Sequence, residues 1–436
     1  MPSSGATPKA RLLDLTRLVS RVGRGPFTGI DRVEMAYLEA LLQRPEPAFG
    51  LVRGATGRLH GLLAGHLLLG RAGLAGLRDR LAGRAGWGRP DWVARLHLRQ
   101  QSSRRRALSD LRRMALAQAT TPALGKMLRQ HLPAGVLYLN VGHSNLAADT
   151  FAAVREVPDA RIEAFVHDTI PLDFPEFTRQ GEPENFARKL RMIGARADRV
   201  IYNSQVSRDA AETHFARWGR VPPGLVVHLG GTPARPDPAA LAAVRPAALR
   251  PGRPYLVVLG TIEPRKNHAF LLDLWEGMAS RLEAGKMPAL CIAGARGWCS
   301  AALFARLDAS PLTGRHVFEL PGLGDGAVAA LLQGACGLLF PSHVEGFGLP
   351  ALEAAALEVP VLCNDLPVFH ETLGDYPVYV PTTDDYQWQR QILALAGGQV
   401  PVSGGGRPAI PTWDEHFAGV FGAAGRCRDN SVGRAV

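Results

Sequence analysis

Glu345 and Glu353, separated by seven residues, stand at the two ends of Glu345-Gly346-Phe347-Gly348-Leu349-Pro350-Ala351-Leu352-Glu353. At that spacing two carboxylates reach one bound molecule from two sides. Gly346 and Gly348 let the backbone between them approach closely, so that its amides face an anion. A second set lies in Gly260-Thr261-Ile262-Glu263-Pro264-Arg265-Lys266-Asn267, where Arg265 offers a fork to two oxygens and Lys266 a point charge. A third comprises His143, in Val141-Gly142-His143-Ser144, and the pair His167-Asp168. Each bland reading is simple: a glutamate in a first helical turn suits the helix dipole, an Arg-Lys pair suits a solvated loop, and a histidine can be structural.

The elements around these residues argue for the sharper reading. Gly337 to Phe340 is an apolar run of strand type and Ala354 to Glu358 is helical, with Pro350 in the first helical turn. Strand, glycine loop and helix form the phosphate corner of an α/β sheet. The second half alternates in the same way: strand Tyr255–Leu259, helix Ala269–Ala284, strands Leu290–Ala293 and Val317–Leu320, helix Gly326–Gln333. Short connections in that order predict a parallel, doubly wound sheet.

The first half repeats the pattern with strands Arg11–Leu15, Val136–Asn140, Arg161–Val166, Val200–Ser204 and Val226–Leu229. His143, His167 and Asp168 fall just past strand ends, where open α/β sheets bind ligands. After the first strand comes the glycine loop Val22 to Ile30, in which Thr28 is placed to cap a helix starting near Ile30. Prolines crowd the stretch from Gly230 to Pro254, which reads as a linker. Val402 to Pro408 is a glycine-rich break, and Thr412-Trp413-Asp414-Glu415 is a capping box opening a helix through Cys427.

The Glu345–Glu353 spacing, with Lys266 upstream, resembles the retaining glycosyltransferases of family 4 (glycosyltransferase group 1). That resemblance is specific over about Tyr255 to Phe417 and looser over Leu12 to Leu229. It implies the GT-B fold: two Rossmann-like α/β domains facing across a cleft, with a C-terminal helix crossing back. The implied domains are 1–232 on the acceptor side, a linker at 233–254, a nucleotide-sugar domain at 255–411, the crossover helix at 412–428 and a tail at 429–436. By the same resemblance Glu345 contacts the donor sugar, Glu353 the ribose, and the loop Gly346, Phe347, Gly348 and Leu349 the sugar and diphosphate. Arg265 and Lys266 hold the diphosphate, Gly29 reaches over it, and His167 faces the sugar or acceptor, with Asp168 and His143 on the acceptor side. One departure stands out: the commoner pattern places the arginine directly after the glycine, but Thr261 occupies that donor-side position here and the arginine is Arg265. The family needs no metal and no cofactor beyond the nucleotide-sugar co-substrate, and no Asp-x-Asp motif is present. The implied acceptor is a glycan or lipid-linked acceptor in cell-surface polysaccharide synthesis.

Composition limits the alternatives. With 436 residues the chain can bury two sizeable cores, and its five widely spaced cysteines fit a reduced, cytoplasmic location. The beginning of the chain lacks the order of a signal peptide, and no apolar run is long enough to span a bilayer. The net charge of +11 concentrates between Arg53 and Arg129, where Leu62, Leu63, Leu67, Leu68, Leu74, Leu77 and Leu81 supply a helical apolar pattern followed by Trp87 and Trp92. A peripheral contact with an anionic membrane surface is one reading; a solvated basic face over a helical core is the favoured one. Nucleic acid fits less well, because stacking aromatics are not interleaved with the arginines. A dehydrogenase lacks its GxGxxG fingerprint. A sugar-nucleotide epimerase, a phosphorylase and a non-enzymatic polysaccharide-docking protein remain as alternatives.

Overall fold

The computed structural model describes residues 7–25, 27, 29–54, 57–70, 73–88, 103–231, 233–298, 301–399 and 408–422. Thr28, Trp92, Cys299, the break at 401–407, the end of the last helix through Cys427 and the tail at 429–436 lie outside them.

Two sheets organise the chain. The first contains β1 (Ala10–Asp14), β2 (Ala48–Arg53), β3 (Leu59–Ala64), β4 (Ala117–Thr120), β5 (Val136–Asn140), β6 (Arg161–Val166), β7 (Arg199–Tyr202) and β8 (Gly224–Val226), in the order β4-β3-β2-β1-β5-β6-β7-β8. The second contains β9 (Tyr255–Leu259), β10 (Ala289–Ala293), β11 (Val317–Glu319), β12 (Gly337–Phe340), β13 (Val361–Cys363) and β14 (Val378–Tyr379), in the order β11-β10-β9-β12-β13-β14. All its pairings are parallel. Strands covered by helices on both faces must be apolar throughout, and β1, β5, β10 and β12 are buried along their whole length. In each sheet the chain leaves one central strand in opposite directions, so a crevice opens between the ends of β1 and β5 and another between those of β9 and β12. Such switch points are where open α/β sheets take their ligands.

Several expectations need correction. The first sheet is mixed, because β3 pairs antiparallel with β2 and with β4. Leu62 and Leu63, read as helical, belong to β3, and the helices of that region begin at Gly65 and Gly73. Leucine spacing there fits both periods, and pairing with β2 decides it. The last strand of the first sheet ends at Val226, before His228 and Leu229. The chain then turns beneath the returning helix, where Gly230 packs so tightly on Trp413 that a Cβ would lie 2.5 Å from its backbone nitrogen. The stretch 233–254 is also more than a connector. Asp237 caps the helix Pro238–Ala242, and its N–H donates to the Gly326 carbonyl at 2.8 Å, which docks this segment on the second domain.

The helix Trp413–Gly422 carries the chain back to the first domain. Its capping box closes as Thr412 N donates to Glu415 Oε2 at 2.7 Å and Glu415 N to Thr412 Oγ1 at 3.2 Å. Buried His416 bonds the His228 carbonyl at 2.8 Å and the Tyr37 hydroxyl at 3.0 Å, while Arg199 donates to the Val420 carbonyl. Of the basic region, Leu77, Leu81, Ala107, Leu108 and Leu111 are core residues, and Trp87 is buried with its Nε1 donating to the Arg80 carbonyl. Its apolar face is therefore spent on the domain's own core. No described helix is long and apolar enough to cross a membrane.

Candidate active site

The crevice between β9 and β12 collects the strongest charges. Past β12 the chain runs through Pro341 to Gly348 into the helix Leu349–Ala356, with Pro350 in its first turn. Gly348 has φ +87°, and a Cβ there would lie 2.8 Å from the Phe369 ring, so only glycine turns this corner without strain. Past β9, Pro264–Lys266 forms a 3-10 turn. The two loops are tied by a hydrogen bond from His343 N to the Arg265 carbonyl at 2.9 Å.

Between them lies Glu345, its side chain 8% exposed, with Oε1 2.6 Å from Lys266 Nζ and Oε2 2.6 Å from Arg265 Nη1. Burial pushes its carboxyl up, but the two cations outweigh burial and hold it at about 2. Lys266 also lies over the Phe340 ring at 4.5 Å. Burial moves its ammonium below the ordinary lysine range, and Glu345 opposes that shift. Arg265 further bonds Glu263 Oε1 at 2.8 Å and the Val344 carbonyl at 3.1 Å. Two carboxylates thus balance two cations in a desolvated corner, a group that persists only because its members are hydrogen-bonded to one another.

The first domain closes over this corner. The Gly346 carbonyl accepts from Ser204 Oγ and Ser207 Oγ, both at 3.2 Å. A Cβ on Gly346 would lie 2.8 Å from the His167 carbonyl oxygen and 2.9 Å from Asp168 Cβ. Glu371, on the helix Pro367–Leu373, accepts from Gln205 N at 2.6 Å and Val206 N at 3.1 Å, capping a helix of the other domain, and from His228 Nε2 at 2.9 Å. The Phe177 and His343 rings stack at 4.9 Å.

The other expected residues fall around this contact. Glu353 meets Arg32 of the first domain at 2.6 Å, so its carboxylate already holds a cation where a ribose was expected. Gly29, φ +44°, immediately precedes the helix carrying Arg32, and its carbonyl accepts from Arg32 N. Phe347 is buried against His228, with ring centroids 5.7 Å apart, and Thr261 is half-buried. His167 is buried, stacked on Phe165 at 4.4 Å, and its Nε2–H donates to the Val141 carbonyl at 2.8 Å. Burial keeps it far below the usual imidazole range, so it is neutral at pH 7. Asp168 accepts from Ile170 N at 3.1 Å, and burial raises its carboxyl despite nearby Arg265. His143 donates from Nε2 to the Phe165 carbonyl at 2.7 Å, and burial lowers it to about 4.

Sequence reasoning missed Arg32, Glu371, Ser204 and Ser207. Arg32 carried a readable signal, since a cation in the first turn of a helix opposes the dipole and must be held there by something else. Glu371 carried none, its role depending wholly on a helix from the other domain.

Residues 243–396 match the family model of glycosyl transferases group 1. The serotype-specific mannosyltransferase WbdA of Escherichia coli is 33% identical over 228 residues, covering 49% of this chain and 27% of that protein. The O-antigen chain mannosyltransferase RfbU of Salmonella typhimurium is 45% identical over 62 residues, 14% of this chain and 18% of that protein. The chain thus spans 27% or less of the length of these two relatives. Among solved structures, that of Anabaena Alr3699/HepE in complex with UDP-glucose matches 95% of this chain and 99% of its own, with a TM-score of 0.56 and 14% identity. Likeness at that level shows the fold, which is GT-B.

Proposed function

We propose that this chain is a glycosyltransferase that moves a sugar from a nucleoside diphosphate donor to a glycan or lipid-linked acceptor in cell-surface polysaccharide synthesis, with retention of configuration and without a metal. The observation that carries the reading is Glu345 buried between Arg265 and Lys266 at the β9–β12 switch point, inside the stretch that matches the family model. The relatives named as mannosyltransferases favour mannose as the sugar.

Breaking the sugar–phosphate bond leaves negative charge on the departing diphosphate, and preorganised cations stabilise it as it develops. Lys266 spends one N–H on Glu345, which leaves two for phosphate oxygens. Arg265 is already held by Glu263, Glu345 and the Val344 carbonyl, so its part is to fix Glu345 and supply field to the site. Glu345 orients the sugar hydroxyls, and the loop amides from Gly346 to Leu349 face the diphosphate. Glu353 exchanges Arg32 for the ribose. His167, neutral with Nε2–H committed to a carbonyl, keeps Nδ1 as an acceptor and shapes the sugar side of the cleft. The departing phosphate oxygen takes the proton of the acceptor hydroxyl on the same face.

Thermal shift with UDP, GDP, ADP and their sugars tests the donor site, since ligand at about a hundredfold over its Kd adds about 2.7 kcal/mol. Glu345→Ala is expected to lower turnover by about 10²-fold or more while weakening nucleoside diphosphate binding far less, and Lys266→Ala to weaken both. Unchanged turnover in Glu345→Ala, or no response to any nucleotide, sinks the reading.

A further inference from the structure

The β1–β5 crevice of the first domain has its own charged set, which the donor chemistry does not use. Asp31, fully buried, accepts Arg17 Nε at 2.8 Å and Arg21 Nε at 3.0 Å. Each guanidinium is held by one nitrogen only, so the terminal amino groups of both keep no partner among the described residues. Arg17 follows β1 and His143 follows β5, and the two meet at the switch point: a Cβ on Gly142 would lie 2.9 Å from Arg17 Cβ. From the other side the helix Glu182–Arg196 lays Phe186 against His143, ring centroids 5.8 Å apart, and one turn later brings Lys189.

Lys189 is half-buried and makes no hydrogen bond or ion pair within the described residues. Burial first, then Arg17, lowers its ammonium from the ordinary lysine range, and Glu182 opposes this only partly. An ammonium removed from water beside a guanidinium is unfavourable unless an anion joins them. Asp31 does not serve, since both its oxygens are taken by the arginines, and Glu34, which also lies against Gly142, has its carboxyl pushed toward the protonated form by burial.

We propose that Arg17, Arg21 and Lys189 form a subsite for an anionic group, a phosphate or a carboxylate, on the acceptor. The assignment to the acceptor rests on the transferase reading above, in which the donor diphosphate is matched by the separate cations at the β9–β12 crevice. Asp31 is the positioning residue, aligning both guanidiniums as forks.

The test titrates inorganic phosphate, glucuronate and nucleoside diphosphates into the full chain and into Lys189→Gln and Lys266→Gln, by calorimetry and thermal shift. Lys189→Gln is expected to weaken phosphate or glucuronate by about tenfold, to leave nucleoside diphosphate binding within about twofold, and to melt no lower than wild type, because an unpartnered half-buried cation is removed. Lys266→Gln is expected to do the reverse for the nucleotide. A response to phosphate alone assigns a phosphate-bearing acceptor, and one to glucuronate an acidic sugar. Equal anion binding by Lys189→Gln and wild type overturns the subsite. Loss of nucleotide in the same proportion assigns the cluster to the donor instead. Wild-type protein that binds no nucleotide overturns the transferase reading, while the Lys189 comparison still decides the anion site.

Discussion

The two switch-point crevices open between equivalent pairs of parallel strands, β1 and β5 in one sheet and β9 and β12 in the other, and treat charge in opposite ways. At β9–β12, Glu263 and Glu345 neutralise Arg265 and Lys266 inside the protein. At β1–β5, Asp31 holds two arginines, the nearby Asp14 and Glu34 carboxyls are pushed up by burial, and Lys189 makes no ion pair among the described residues. A self-neutralised set can be desolvated before substrate arrives, whereas an unbalanced one keeps its net charge for a ligand. One crevice is preassembled, and the other is completed by what it binds.

The largest break in this comparison comes from the point where the crevices face each other. Gly346→Ala places a methyl against the His167 carbonyl and Asp168. With both sides built of backbone or packed side chain, the domains must separate, and a shift of about 1 Å in such a site lowers turnover by about 10²-fold. Steady-state kinetics should show that loss with nucleoside diphosphate binding largely kept; unaltered turnover would mean that the domain contact has no part in catalysis.

A smaller effect is expected from Glu371→Ala, which removes the cap on the opposing helix and the partner of His228. Its carboxyl lies below the usual range because, although burial raises it, His228 and the two backbone N–H groups prevail. The contribution is present above about pH 4.5 and lost as pH falls below it. Losing a cap of this kind costs about 1–2 kcal/mol, which should appear as faster proteolysis between the domains and as kcat and KM changing together. Identical proteolysis of mutant and wild type would remove Glu371 from the clamp.

The smallest effect sharpens the first-domain side. Glu34 is fully buried, and burial, then nearby Asp14, holds its carboxyl well above 4.5, with Arg17 opposing. Asp14 is raised to about 6 by burial against its hydrogen bonds from Asn145, Thr16 and Tyr138. Folded values above the unfolded ones mean stability that is complete at low pH and lost as pH rises. Glu34→Gln removes one such group, so its melting temperature should gain on wild type as pH rises from about 5 to about 8. A constant difference across that range would mean that Glu34 ionises as readily in the folded protein as in the unfolded chain, and its burial would then have no such effect.

How far the sequence reached follows from the range of the interactions. The corner Pro341 to Glu353 was legible because strand, glycine turn and helix are neighbours in the chain, and so was the Thr412–Glu415 capping box. The alternation of strands and helices announced two α/β domains for the same reason. The antiparallel edge of β3 and β4 was not legible, since leucines at Leu62 and Leu63 satisfy either period until β2 pairs with them.

What the sequence by itself determined is therefore the kind of site: carboxylates, cations and glycine amides on loops that must emerge from strand ends. Only the tertiary structure decided which charge meets which. It set Glu345 between Arg265 and Lys266, gave Glu353 to Arg32, and left Lys189 under the influence of Arg17 with no ion pair of its own among the described residues. Local propensity acts over a few residues, while ion pairing depends on where distant segments are folded together, and no periodicity records that.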